Sequence, residues 1–190
     1  MASVVEICNM ALQKLGAKQI TSLTEDTASA RACNACYTVL RDAEFEKHKW
    51  NFSILRVSLA ADSPAPTEGP SNSFTLPADF IKLADPDPWD NTFDIDYQIE
   101  GRKIFTNFDA PLYLRYVSRI EDPNTMTPLF REALACKMAF QMCEALTQSN
   151  SKKADARSDY KEAIMEARRS NGIARRPQES AEDPWITGRS

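Results

Sequence analysis

Apolar positions recur at helical spacing from the start of the chain. Val4, Ile7, Cys8, Ala11, Leu12 and Leu15 lie on one stripe, opened by a Ser3-x-x-Glu6 capping box and closed by Gly16. A second helical pattern runs from about residue 25 to residue 49, roughly 37 Å of helix. Its stripe is Ser29, Cys33, Cys36, Tyr37, Leu40, Ala43, Glu44 and Lys47, while Arg31, Asn34, Arg41 and Glu46 fall on the opposite face and suit solvent or a neighbouring subunit. At Trp50 the period changes from that of a helix to that of a strand. Phe52 and Ile54, then Leu55, Val57 and Leu59, alternate with polar residues, and the switch of face predicts a bulge. The proline-rich stretch at 60–73 reads as a surface loop. Short strands are expected at 74–76 and 80–83, a hairpin around Glu100-Gly101-Arg102, and a longer alternating strand in PLYLRYVSR.

Helical spacing returns at Thr127-Pro128, where a hydroxyl cap precedes proline at the first helical position. The helix that follows is apolar on most sides, with Phe130, Leu134, Met138, Met142 and Leu146 as its bulk, and is therefore expected to be buried. A polar bend at 149–155 leads to a last helix with a narrow stripe of Ala156, Tyr160, Ala163, Ile164 and Ala167, stopped at Asn171-Gly172. The expected fold is α+β: a four-helix bundle-like domain (1–50 and 121–172) with an inserted small antiparallel β unit (51–120) and an extended C-terminal arm (173–190). That arm could reach roughly 60 Å when extended, and Arg175, Arg176, Trp185 and Ile186 are its candidate anchors on a partner, since Trp and Arg dominate interface hot spots.

Composition narrows the function classes. At 43% hydrophobic and 26% charged, a chain of this length buries roughly 70% of its unfolded surface and folds without a staple. A net charge of −4 argues against a binder that neutralises nucleic-acid phosphates. The start MASVVEICNM lacks the basic segment and long apolar run of a signal peptide, and no stretch reaches the about 18 apolar residues of a membrane span, so synthesis in the cytoplasm with reduced thiols is expected. Five cysteines, an odd number, do not suggest a disulfide framework.

The chemical constellations have plainer explanations. Cys33 and Cys36 on one helix, with Cys136 and Cys143 on another, could in principle converge on a metal. Zinc ligands, however, normally sit in knuckles and turns, so core packing is the expected role. A thioredoxin-like motif belongs at a helix start, and this one lies inside a helix. His48, the sole histidine, stands at a helix end beside Lys47 and Lys49, where the dipole favours it. The acidic run Asp85, Asp87, Asp90, Asp94, Asp96 carries prolines where a calcium loop needs a glycine; it is the place a glycan hydrolase would keep a carboxylate pair. Five scattered glycines make no phosphate-binding loop. No catalytic residue, metal or cofactor is assigned from the sequence.

Several stretches together carry a resemblance. They are EICNMALQKLGAKQITSLTEDTASARACNACYTVLRDAEFEKHKWNFSILRVSLA, FTLPADFIKL, PLYLRYVSRIEDPNTMTPLFREALACKMAFQMCEALTQS and DYKEAIMEAR. Its most telling points are Asn9 with Ala11, Leu12 and Leu15, then Arg41-Asp42, Trp50-Asn51-Phe52, Leu76-Pro77 with Asp79, and Pro128-Leu129-Phe130. In these the chain resembles the podovirus tail tubular protein A family, the head-to-tail adaptors of short-tailed phages, over most of residues 4–170. The resemblance implies a structural virion protein made in the host cytoplasm, without enzymatic turnover. It implies a closed ring of about twelve copies between the portal protein and the tail nozzle protein, with double-stranded DNA passing through unbound and no membrane contact. It also implies that the C-terminal arm docks on the portal. The alternative is a tail-associated glycan or peptidoglycan hydrolase. Trp50, Asn51 and Phe52 are expected to form the joint between long helix and β unit, with Trp50 buried.

Overall fold

Ser3 opens the first helix as the capping box requires: its hydroxyl accepts from Glu6 N at 3.1 Å and the Glu6 carboxylate accepts from Ser3 N. The computed structural model describes residues 1–84 and 96–174. Helix α1 (Val4–Leu15) ends at Gly16, which takes the left-handed conformation that a side chain would strain (φ 68°). Helix α2 (Ala28–Lys47) starts from Thr27, whose hydroxyl accepts from Ala30 N. It is shorter at both ends than its periodicity predicts, because the cap fixes where helical backbone begins. Helix α3 (Pro128–Thr147) is capped by Thr127 with proline at its start, as expected.

Helix α4 (Asn150–Ile173) departs from expectation at both ends. Ser149 caps it, accepting from Lys152 N, so the bend shrinks to Gln148 and Ser149 and the polar stretch becomes the first turns. Gly172 does not stop the helix, which runs to Ile173. Helix α3 is the hub. It packs against α1, α2 and α4, and its buried residues include Phe130, Leu134, Cys136, Met138, Met142 and Cys143. Burying a helix on three sides explains why its sequence is apolar nearly all round.

Between α2 and α3 the described residues hold six strands: β1 (Ile54–Leu59), β2 (Asn72–Thr75), β3 (Phe80–Leu83), β4 (Tyr97–Glu100), β5 (Lys103–Thr106) and β6 (Leu112–Ser118). They form not one sheet but two antiparallel three-stranded sheets, ordered β1-β6-β3 and β2-β5-β4. The β1–β6 register is continuous from Ile54↔Val117 to Leu59↔Leu112. The bulge expected near β1 is absent there, because a short 3-10 turn at Asn51–Ser53 makes the change of direction first. The irregular register lies instead on β3, between Phe80 and Lys82.

Alternation along β6 serves two cores. Leu112, Leu114 and Tyr116 join Phe74, Leu76 and Ile104 in an apolar cluster shared by the two sheets. Val117, on the opposite face, enters the helical core beside Trp50, Met126 and Phe130. The fold is thus α+β, four helices with two small sheets, and the first sheet is the layer that contacts the helices. Among the described residues no helix is long and apolar enough to cross a membrane.

Candidate functional site

The predicted joint is built around Trp50, which is fully buried. Its indole Nε1 donates to the Glu44 carbonyl at 3.1 Å, so the ring folds back on the last turn of α2 and shares that carbonyl with the backbone N–H that closes the helix. The indole meets Phe130 edge-on with centroids 4.8 Å apart, and Phe52 meets Phe130 at 5.2 Å. Phe45, which lies off the α2 stripe expected from the sequence, stacks on Phe130 at 5.3 Å. Four aromatic rings from α2, the joint and α3 therefore lock the angle at which the chain leaves the helical body. His48 lies edge-on against Trp50 at 4.7 Å and its backbone N–H donates to Glu44 O, so the sole histidine closes the helix end.

Asn51 performs a second task. Its backbone N–H donates to Asn171 Oδ1 and its Nδ2 donates to Asn171 O, both at 2.8 Å. Asn171 Nδ2 in turn donates to Lys49 O at 2.9 Å. Residues 49–51 and the last turn of α4 are thereby held together by side-chain amides that mimic a backbone ladder. Ile173, just beyond Asn171, is exposed. The proposed anchors Arg175, Arg176, Trp185 and Ile186 lie outside the described residues, as do Asp85, Asp87, Asp90 and Asp94. Asn171 was missed because Asn-Gly reads as a helix stop. Its only sequence signal is an amide side chain at the end of a polar helix.

Beside the joint lies a buried carboxylate. Glu44 is 1% exposed; its Oε1 accepts from Tyr160 OH at 2.8 Å and from Lys47 Nζ at 2.9 Å, while Oε2 is buried and has no partner among the described residues. The Lys137 ammonium lies 4.6 Å from the Tyr160 ring centroid. Burial, then the hydrogen bond to Glu44, pushes the Tyr160 phenol well above its ordinary value, and burial lowers Lys137. Both shifts follow from removing charge from water.

Polar contacts also tie the first sheet to α2. Asp42 accepts from Arg41 on one side and from Arg119 Nε at 2.8 Å on the other, and Lys82 Nζ donates to Glu46 O. Arg41, expected on the exposed face, is 5% exposed. Its stem lies in the core margin and its guanidinium is neutralised by Asp42 and set 5.7 Å from the Tyr37 ring centroid. Asp79 accepts from Ser118 Oγ at 2.6 Å and from Tyr116 OH at 3.2 Å, and its carbonyl accepts from Arg119 N. Asn9 uses both ends of its amide on the backbone of Ile20, each at 2.8 Å, pinning the loop after α1.

The cysteines are placed as core expectations require. Cys33, Cys136 and Cys143 are buried, and Cys36 packs partly buried against the helical core. Their neighbours differ: Cys33 meets Cys8, Cys143 Sγ meets Thr147 Oγ1 at 3.2 Å, and Cys136 lies by Lys14. Among the described residues no group of three or more His, Cys, Asp or Glu is arranged to hold a metal ion. What the site can do is hold: it ties the end of α4 to the joint between α2 and the first sheet. Compared with family models and with curated proteins, the chain matches none of them.

Proposed function

We propose that this protein is a structural adaptor of a short-tailed phage virion, a ring-forming subunit that joins the portal protein to the tail nozzle protein and docks on the portal through its C-terminal arm. The observation that supports this reading best is the Asn51–Asn171 clamp. It ties the last turn of α4, which leads toward the proposed arm, to the joint between α2 and the first sheet. An adaptor needs this arrangement, since an arm held by one partner must be rigidly related to the surface offered to another. The resemblance in Asn9, Asp42, Trp50-Asn51-Phe52, Asp79 and Phe130 supports the same reading, because each of these residues holds a position in the architecture just described. An acidic chain, at −4, suits a channel wall along which DNA slides without adhering.

The test is the mass in solution of the 21.3 kDa chain measured by light scattering, alone and mixed with the portal protein encoded in the same genome. A large complex that forms with the full chain and is lost when residues 173–190 are deleted is the expected outcome. Unchanged masses on mixing would overturn arm docking. Cleavage of peptidoglycan or capsular glycan by the purified chain, abolished by Asp90→Asn and Asp94→Asn, would replace the adaptor with a hydrolase.

A further inference from the structure

The chain has one histidine, and its ring meets the clamp at the end of α4. Asn171 Nδ2 lies 3.2 Å from His48 Nε2 and 2.9 Å from Lys49 O. The orientation of the Asn171 amide is fixed without reference to the ring. Its oxygen faces the Asn51 backbone N–H, which can only donate, and its nitrogen faces the Lys49 carbonyl, which can only accept. The two hydrogens on Nδ2 therefore go to Lys49 O and to His48 Nε2, so that ring nitrogen must offer a lone pair. Only a neutral imidazole with its proton on Nδ1 does so, since an imidazolium sets an N–H donor against an NH2 donor.

We propose that the His48–Asn171 contact is a pH-sensitive catch, closed by the neutral ring and opened when the ring takes up a proton, so that acid loosens the last turn of α4 from the joint. Opposing forces act on the ring. His48 is the C-terminal cap of α2, where the helix dipole favours the cation. The Asn171 amide favours the neutral form, and so do the cations on the elements packed around this corner. These are Lys47 of α2, which is tied to the Glu44 carboxylate, Lys49 of the joint, Lys82 of β3 on the Glu46 carbonyl, Lys137 of α3, and Arg168 one turn before Asn171 on α4. With preferences opposed, the fold locks the ring in neither form. His48 is half-buried, so acid reaches it without unfolding the core. Because only the neutral ring makes the contact, its stabilisation is fully present above the ordinary imidazole value of about 6.5 and is lost as acid charges the ring. Opening stays local, since Tyr160 still donates to Glu44 about three turns earlier on α4. α2 and α4 each pack chiefly on α3, so these polar links carry the connection between them. The catch does not depend on the adaptor reading and survives its failure.

The full chain, labelled with nitrogen-15, is titrated by NMR from about pH 7.5 to about pH 5, a window that spans the ordinary imidazole range and stays above that of carboxylates. The single histidine makes its ring signals unambiguous. The expected result is a neutral ring protonated on Nδ1 at the upper end, and one midpoint shared by the ring, the Asn171 side-chain NH2 and the Asn51 amide. Hydrogen exchange at Asn51 N–H and in the last turn of α4, corrected for the intrinsic effect of pH, should quicken roughly tenfold across the window, as the loss of one hydrogen bond implies. Exchange in α3 should not change. His48→Gln, whose side-chain carbonyl accepts but does not titrate, should abolish the pH response. A neutral ring with its proton on Nε2, a ring that keeps one form throughout, or clamp signals that do not follow the ring would each overturn the proposal. So would a response retained in His48→Gln. The titration is done on the unmutated chain, so the proposal stays falsifiable even if that variant fails to fold.

Discussion

The helical core and the inter-sheet core sit on the two faces of one strand, β6, yet they are held by different means. The helical side buries Trp50, Phe45 and Phe130 among Leu, Met, Ala and Cys from all four helices. The inter-sheet side has six buried apolar residues among those described, of which Phe74 is wholly out of water, and leans on polar ties such as Asp62 with Lys103 and Asp79 with Ser118. A small apolar cluster cannot offset much conformational entropy. The sheets therefore gain their place from the helices, through Val117, Trp50 and Asp42. Stability is expected to run downhill from α3 to the outer sheet.

The strongest way to break that ordering is Trp50→Ala. Truncating a fully buried indole costs about 3 to 5 kcal/mol, and because the ring serves both helix end and joint, thermal denaturation should show the whole protein melting on the order of 10 °C lower. An unchanged melting temperature would remove Trp50 from the centre of the structure. Next comes Phe74→Ala in the inter-sheet core, expected to cost about 3 kcal/mol. Amide exchange should quicken in β2 and β5 while α3 stays protected. If α3 quickens equally, the two cores are one cooperative unit and the comparison fails.

Asn171→Ala removes the donor and acceptor that tie α4 to residues 49 and 51, at about 1 to 2 kcal/mol. Faster exchange should be confined to the last turns of α4 and the joint. The smallest effect concerns Asp62. The hydrogen bond from Lys103, helped by Thr75 and Ser73, holds its carboxyl below the usual carboxylate range. The tie is therefore fully present above the unfolded value of about 3.9 and is lost as pH falls through the lower folded value. Because the pair is near the surface, urea midpoints between pH 7 and pH 3 should separate wild type from Asp62→Asn by only a few tenths of a kcal/mol, and added salt should shrink the gap.

The helices were legible because their caps are local chemistry: Ser3, Thr127 and Pro128 announce starts that no distant contact alters. The strands were legible by alternation, and Glu100-Gly101-Arg102 marks the tip of the β4–β5 hairpin, with Gly101 at a positive φ. The assembly of six strands into two sheets was not, since strand order depends on partners far apart in sequence. Arg41 was misassigned for the same reason, its charge being neutralised by its neighbour Asp42 and its stem covered only once Tyr37 and the core margin are in place. The joint was visible as a change of period at Trp50. Its clamp was not, because Asn51 and Asn171 meet only when the two ends of the chain have come together.

That clamp also has a mechanical meaning. Three hydrogen bonds join residues 49 and 51 to Asn171, and Trp50 lies between their attachment points. A pull on the C-terminal end of α4 would load these bonds together, and the force would pass into the aromatic cluster without first unravelling the helix. The end of α4 is thus moored to the keel of the molecule, and a load placed on it would reach the helical body and the first sheet together.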